Sequence, residues 1–159
     1  MSAEIFHLAL NLMKDNKFEE FQDFLKDNEI VNVKDNEQRT LIFYAILDDK
    51  YSFFEFLLKK KAYVNIVDRH GYSPLHYAVN LYNFEIVKKL IDSGANLDMF
   101  DSYGNNVIAR AVLTSKGRNK IIKFLLEKGA NPDIPNYKGY NAKDIAKIID
   151  NKDIIEILT

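Results

Sequence analysis

The stretch from Asp68 to Val79 reads DRHGYSPLHYAV and places a glycine, a proline and a histidine within six residues. Gly71 permits the positive φ of a tight turn. Pro74 suits the first position of a helix, because the N–H that proline lacks would have no partner there. Ser73 is placed to cap that helix. The stretch therefore predicts a tight turn that leads directly into a short inner helix.

This pattern repeats along the chain. Asp68 and Gly71 recur 33 residues later as Asp101 and Gly104, and a step of 35 residues then leads from Gly104 to Gly139. A step back of 33 residues from Asp68 leads to Asp35, so four registers agree. A helix pair of this size cannot cover its own apolar face. Successive units must therefore stack on one another.

The turn DRHGYSPLHYAV, followed by EIVKKLIDSGANLD, resembles an ankyrin repeat, whose hallmark is a D-x-x-G-x-T-P-L-H turn and a closing L-L-x-x-G-A. Other units match less fully, since DNEQRTLIFYA has Gln38 at the glycine position and DSYGNNVIARA lacks the Thr-Pro-Leu-His run. The resemblance covers essentially the whole chain and implies an all-α ankyrin-repeat solenoid of about five helix-turn-helix units. We expect a single domain over residues 1–159, with an N-terminal cap at 2–33, units at 34–66, 67–99 and 100–134, and a C-terminal cap at 135–159.

The outer helix of the third unit shows the clearest periodicity. Apolar residues at i, i+1, i+4 and i+5 predict a helix over 84–92 that ends in a left-handed glycine, Gly94. The residues expected on its buried face are Ile86, Val87, Leu90 and Ile91.

Two departures from the repeat each carry a consequence. Lys61 occupies the position that Gly94 and Gly129 hold elsewhere, so the second unit either strains its backbone by about 1 kcal/mol or ends its helix differently. The fourth unit inserts two residues between its helices, in VLTSKGRNKII. The longer loop carries Lys116, Gly117, Arg118 and Lys120 and is a candidate contact surface.

The composition indicates which kinds of partner and which cellular location to expect. The sequence has 22 Lys and Arg against 23 Asp and Glu, so no overall field favours nucleic acid or an anionic membrane as a partner. There is no cysteine, which agrees with a reducing compartment. The N-terminal stretch MSAEIFHLALNLMKDNKF does not have the basic start and long apolar run of a secretory signal, and no stretch reaches about 18 apolar residues. We predict a cytoplasmic protein without nucleic-acid or membrane partners.

No residue pattern predicts catalysis, a metal or a cofactor. His7, His70 and His76 fall in a cap, at a turn tip and in the structural motif, where the resemblance implies that His76 bonds to neighbouring turn backbone. His70 either contacts a partner or faces water. Phosphate-loop, metalloprotease and nucleophile-elbow motifs are missing. We predict a non-enzymatic protein; an enzyme or small-molecule binder would instead need an enclosed pocket with converging polar groups.

Aromatic residues fall into two groups. Those at outer-helix positions are predicted to fill the core: Phe18, Phe21, Phe24, Phe53, Phe54 and Phe56. Those at or near the turns either form a ladder of rings on one binding face or pack tip to tip between neighbouring turns: Tyr72, Phe100, Tyr103, Tyr137 and Tyr140.

Ankyrin-like proteins generally recognise protein partners through turn tips and inner helices, so the resemblance implies a protein-binding function. By position, the candidate contact residues are Val67, Arg69, His70, Tyr72, Asn80, Leu81, Phe100, Ser102, Tyr103, Asn105, Leu113, Thr114, Tyr137, Lys138 and Tyr140. Whether this face or the 114–119 loop is the contact surface stays open.

Two narrower hypotheses concern the partner. The segment 103–149 resembles small free-standing bacterial ankyrin proteins with a similar lengthened loop, some of which look like immunity proteins that neutralise a toxin domain. Acids on the surface could then face a basic nuclease cleft. The alternative is a secreted or viral effector that binds a host protein.

Overall fold

The computed structural model describes residues 2–26 and 30–159; Met1 and residues 27–29, within the predicted first unit, lie outside the described residues. The described ranges form ten α-helices and no strand. The helices are α1 (Ser2–Lys14), α2 (Phe18–Phe24), α3 (Leu41–Leu47), α4 (Tyr51–Lys59), α5 (Pro74–Asn80), α6 (Phe84–Asp92), α7 (Val107–Thr114), α8 (Lys120–Glu127), α9 (Ala142–Ile148) and α10 (Lys152–Leu158).

The helices pack as successive pairs that stack in chain order. The inner helices α1, α3, α5, α7 and α9 each contact the next inner helix, and the outer helices pack α2 against α4 and α6 against α8. Each inner helix also contacts the outer helix that follows it. The predicted all-α solenoid is confirmed.

A small residue at the centre of each later inner helix lets neighbouring pairs approach closely. Ala45, Ala78, Ala111 and Ala146 are all buried. Larger apolar side chains fill the space around them in one continuous core. Since every pair buries its apolar face against the next pair, the stack rather than any single pair supplies the stability.

Most local predictions are confirmed. Helix α6 spans Phe84–Asp92, and Ile86, Val87 and Leu90 are buried while Ile91 is partly buried. Gly94 follows with a φ of +86°. Of the six core phenylalanines, three are buried and three are partly buried, and Phe21 lies edge-to-face against Phe53 at a centroid distance of 4.9 Å.

Of the two predicted alternatives for the end of α4, the structure shows the strained backbone at Lys61. Its φ is +62°, in the left-handed region that Gly94 and Gly129 occupy with +86° and +88°. The N–H of Lys61 donates to the Leu58 carbonyl and that of Ala62 to Leu57, which repeats the bonds at the glycine-ended helices. The hydrogen bonds of the helix end are therefore kept, and the lysine bears the strain of a left-handed backbone.

The lengthened loop, residues 115–119, is anchored on the preceding helix pair. The Arg118 guanidinium lies 3.7 Å from the centroid of the Tyr82 ring, and the Lys120 ammonium lies 3.7 Å from that of Phe84. The backbone N–H of Lys120 donates to the Tyr82 hydroxyl at 3.2 Å. These cation–π contacts hold the loop against the start of α6.

Candidate partner-binding surface

Four turns lead into the inner helices and share one geometry. We name them by their first residues: the Asp35 turn (35–39), the Asp68 turn (68–72), the Asp101 turn (101–105) and the Asn136 turn (136–140). In each, the first N–H donates to the fifth carbonyl. The first side chain accepts from the N–H groups two and four residues later. This local bonding fixes each turn without help from a ligand.

The turn tips are also joined to one another. The joining bonds run from Arg69 N–H to the Glu37 carbonyl at 2.9 Å, from Ser102 to His70 at 3.2 Å and from Tyr137 to Tyr103 at 3.2 Å. A Cβ on Gly71 would lie 2.7 Å from the Ser102 nitrogen, and one on Gly104 would lie 2.7 Å from the Tyr137 nitrogen. Glycine is needed there for the approach of the next tip as well as for its positive φ. The tips form a fixed row.

Beneath the Asp68 turn, a buried ion pair joins two units. Oδ2 of Asp68 accepts from the Tyr77 hydroxyl at 2.6 Å and from Arg39 Nη2 at 3.1 Å, while the Asp68 side chain is fully buried. Burial alone would raise the pKa of Asp68, but the bonds from Tyr77, the turn N–H groups and Arg39 outweigh it and hold the pKa below its usual range. Burial and Asp68 together raise the pKa of Tyr77 to about 12. Polar side chains thus cover this part of the surface.

The Asp101 turn has a corresponding cover made from different residues. Arg110 Nε donates to Oδ2 of Asp101 at 3.1 Å, and Arg110 Nη2 bonds to both Asp101 and the Tyr72 hydroxyl. The guanidinium also lies 4.8 Å from the Tyr72 ring centroid. Burial would raise the pKa of Asp101, but bonds from the Asn105 backbone and amide, together with Arg110, lower it. Tyr72 and Asn105 are therefore engaged within the molecule.

The Asn136 turn lacks this cover. The residue four positions after the helix N-cap is Tyr44, Tyr77 or Arg110 at the other three turns, but it is Ile145 here. Asn136 replaces the acid, and its amide donates to Asn105 Oδ1 at 2.9 Å. Because isoleucine is shorter than tyrosine or arginine and has no polar end, the surface beside it stays open and apolar.

A groove of about 450 Å³ occupies this space, and we call it the Asn136 groove. The turn tips form one wall, and α7 and the end of α9 form the other. Six large hydrophobic side chains that are exposed in the described structure meet there: Tyr103, Leu113, Tyr137, Tyr140, Ile148 and Ile149. The remaining lining residues are Ser102, Asn105, Arg110, Asn136, Lys138 and Ile145.

Seven of the predicted contact residues line this groove. They are Ser102, Tyr103, Asn105, Leu113, Tyr137, Lys138 and Tyr140. Asn105 is buried, so its side chain serves the turn more than the open surface. Tyr137 is 78% exposed and is the most exposed large hydrophobic residue of the set.

The other predicted residues lie away from the groove. Arg69 and His70 are exposed at a tip, where Arg69 Nη1 pairs with Glu37 at 2.9 Å. Leu81 is exposed and lines a separate crevice near Tyr82. The predicted residues outside the groove also include the half-buried Val67, Tyr72, Asn80 and Thr114, the exposed Phe100, and the exposed loop residues Lys116, Gly117 and Arg118.

The turn aromatics are placed in two ways: some lie side by side in the groove and some pack against a neighbouring tip. Tyr103, Tyr137 and Tyr140 share one groove. Tyr137 also packs over the preceding tip, because its Cδ1 lies 2.6 Å from where a Cβ on Gly104 would be. Tyr72 is half-buried against Arg110 and its ring lies 5.6 Å from that of Tyr77. The rings therefore do not form one ladder along the whole stack.

Sequence reasoning did not predict the two isoleucines at the end of α9 as groove residues. Ile148 and Ile149 lie 35 residues after Leu113 and Thr114, both of which were predicted as contacts. The same step that aligned the turns would have found them. Ile145 could be found only by noticing that it replaces Arg110, and that an apolar residue there opens the surface.

His76 is structural, as predicted. It is fully buried, its N–H donates to Ser73 Oγ at 3.3 Å and its Nδ1 accepts from the Ser73 N–H at 3.2 Å. Burial lowers the pKa of His76 to about 4, although Asp101 and the Asn105 backbone oppose that shift. Across residues 2–26 and 30–159, no three His, Asp or Glu side chains come together as metal ligands would.

Residues 63–136 match the family model of ankyrin repeats, in three copies. Residues 63–136 therefore contain ankyrin repeats, and the stacked helix pairs of the described structure are consistent with an ankyrin solenoid. Ankyrin repeats are protein–protein interaction modules and are typically non-enzymatic scaffolds. No curated protein sequence matches the chain. In the part of the chain that is described, no helix has the length and apolar character needed to cross a bilayer.

Proposed function

We propose that the protein binds a protein partner in the Asn136 groove and has no catalytic role. The observation that carries this proposal is the convergence of six exposed large hydrophobic side chains on one groove. Contiguous exposed apolar surface on a globular protein usually marks an interaction site. The absence of cysteine supports a cytoplasmic location as part of the same proposal.

The surroundings of the groove favour tight binding. Two hydrogen bonds fix the wall that the turn tips form. One runs from the Tyr137 N–H to the Tyr103 carbonyl, and the other from the Asn136 side-chain amide to Asn105 Oδ1. A fixed surface loses little conformational entropy on association. Tyrosine supplies a large contact area at low entropic cost and is enriched at binding hot spots. Tyr137 and Tyr140 are the anchors that we expect to matter most.

The identity of the partner is a narrower question. An immunity protein could occlude a toxin by surface complementarity alone, and an effector could cover a host protein in the same way. However, the groove lining contains Arg110 and Lys138 and no Asp or Glu. Such a positively charged lining does not favour a basic nuclease cleft as the occupant. A toxin or host target would instead have to offer a surface that is apolar and not basic.

Affinity capture with matched variants tests the proposal. Tyr137→Ala combined with Ile148→Ser removes two groove side chains that are 78% and 64% exposed, so the fold should be unaffected. Tyr63→Ala combined with Leu8→Ser is the control, because these residues are 61% and 54% exposed and lie outside the groove. Each protein is used to capture partners from source cells, with quantitative mass spectrometry as the readout.

We expect a partner that is retained by the unaltered protein and the control but is reduced about tenfold or more by the groove variant, as for the loss of a hot spot. Circular dichroism should show equal helix content in all three proteins. Equal capture by the groove variant and the control would exclude this groove as the binding surface.

A further inference from the structure

We infer that the segment which fills the Asn136 groove is a short acidic and apolar peptide stretch of the partner. An apolar side chain enters between the tyrosines and isoleucines, and a neighbouring Asp or Glu meets Lys138. This inference rests on the proposed function and adds the chemistry of the occupant.

The charged residues that line the groove are both positive. Arg110 and Lys138 are its only charged lining residues. Arg110 is already neutralised, because its guanidinium bonds to the buried carboxylate of Asp101 and its side chain is only 14% exposed. Lys138 is exposed and has no carboxylate partner among residues 2–26 and 30–159. The groove therefore carries one uncompensated positive charge at its edge.

A comparison with another tip shows that this charge is distinctive. Glu37 occupies the same position in the Asp35 turn that Lys138 occupies in the Asn136 turn. Glu37 is paired at 2.9 Å with Arg69 on the neighbouring tip. Lys138 is held in place differently, since its backbone N–H donates to Asn136 Oδ1 at 3.0 Å while its side chain faces solvent. A fixed backbone with an unpaired ammonium is suited to meeting a carboxylate from outside.

The apolar contacts and the ion pair would contribute differently, the first to affinity and the second to selectivity. Burial of apolar surface on Tyr137, Tyr140 and Ile148 supplies most of the affinity. An exposed ion pair adds little, about twofold to fivefold, but it rejects a segment with a lysine or arginine at that point. A volume of about 450 Å³ suits a few side chains of a peptide rather than a whole domain surface.

Selection from a random peptide library tests the inference. The library is displayed on phage and selected on four proteins: the unaltered chain, Lys138→Glu, the groove variant Tyr137→Ala with Ile148→Ser, and the charge control Lys123→Glu. Lys123 is an exposed lysine on α8 outside the groove, so it matches Lys138 in charge and exposure. Peptides selected on the unaltered chain are then synthesised, and their affinities are measured by fluorescence anisotropy.

We expect the selected peptides to combine a large apolar residue with Asp or Glu a few positions away. Their affinity should fall about fivefold or more with Lys138→Glu, because the reversal removes the ion pair and also adds repulsion between like charges. It should stay unchanged with Lys123→Glu and be lost with the groove variant. Raising the salt concentration should reduce the difference between the unaltered chain and Lys138→Glu.

Three results would overturn the inference, and they separate it from the proposed function. Groove-dependent peptides without acidic residues would refute the acidic occupant while leaving the groove as the binding site. Peptides that bind the groove variant equally well would refute the groove and the inference together. A library that yields no groove-dependent peptide would show that a short segment is not the occupant, and the capture experiment would still test the groove.

Discussion

The Asp68 turn and the Asn136 turn have the same backbone and opposite surfaces. In both, the first N–H donates to the fifth carbonyl, at 3.0 Å and 2.8 Å, and the first side chain accepts from two turn N–H groups. At the Asp68 turn, Tyr77 and Arg39 cover the surface with a polar network around the buried Asp68 carboxylate. Beside the Asn136 turn, Ile145 leaves an apolar groove.

The comparison shows that one helix position decides whether the surface beside the turn is covered by polar side chains or left open and apolar. Where that position holds Tyr77 or Arg110, the acid of the turn is buried and pairs with an arginine. Where it holds Ile145, the helix offers no side-chain donor to a second carboxylate oxygen, and Asn136 is found instead, with an amide that donates to Asn105. The scaffold is kept in both cases because the turn bonds need only one side-chain oxygen.

The largest expected effect comes from removing the acid of the closed turn. Asp68→Ala leaves the Arg39 charge and two turn N–H groups without their acceptor, so we expect a loss of about 4 kcal/mol in the free energy of unfolding. Asn136→Ala removes only neutral bonds at an exposed turn and should cost about 1 kcal/mol. Urea unfolding followed by circular dichroism measures both. Equal losses would contradict the difference that we draw between the two turns.

The cap of the helix that follows the Asp68 turn should respond to acid. Ser73 forms a capping box with His76 there. The pKa of His76 is about 4 in the folded protein and about 6.5 when unfolded, so the unfolded state binds more protons between these values. We expect stability to fall by roughly 3 kcal/mol as the pH drops from 6.5 to 4.

His76→Gln isolates this effect, because glutamine can occupy the same place in a capping box but does not titrate. Unfolding midpoints measured from pH 7 to pH 4 should change much less in the variant. The pKa values of Asp68 and Asp101 are lowered, so their contribution is lost only at lower pH. An equal pH dependence in both proteins would assign the acid sensitivity to other groups.

Converting the open turn into a closed one should weaken binding strongly. Ile145→Tyr with Asn136→Asp recreates the acid and tyrosine pair that Asp68 and Tyr77 form, and the new ring would occupy the groove. We expect partner and peptide affinity to fall about tenfold or more, as for the loss of a hot spot, with helix content retained. Ile145→Val, which leaves the groove open, is the control. Unchanged affinity in the closed variant would mean that binding occurs elsewhere.

The scaffold could be predicted from the sequence because its signals are local. Gly71, Ser73 and Pro74 specify a turn, a cap and a helix start within four residues, and the structure places all three as expected. Repetition at a fixed spacing then identified the stack. The same reasoning located seven groove residues, since positions in a periodic fold can be transferred from one unit to the next.

The chemistry of the surface could not be predicted in this way. The pair of Arg39 and Asp68 joins residues 29 positions apart, and Tyr72 meets Arg110 across 38 positions. Nothing in a single unit shows that these side chains cover the surface. The groove arises because such a contact is missing at Ile145, and a missing long-range contact has no local signature.

The smallest expected effect concerns the helix ends that precede the two turns. The helix before the Asp68 turn ends with Lys61 at a φ of +62°, and the helix before the Asn136 turn ends with Gly129 at +88°. Lys61→Gly should relieve left-handed strain and stabilise the protein by about 1 kcal/mol. Gly129→Ala should cost a similar amount through strain alone, because an added Cβ would meet no atom within 4 Å. Thermal unfolding of both variants measures these two opposite changes in stability. If Lys61→Gly is no more stable than the unaltered chain, the lysine adopts its left-handed backbone without strain.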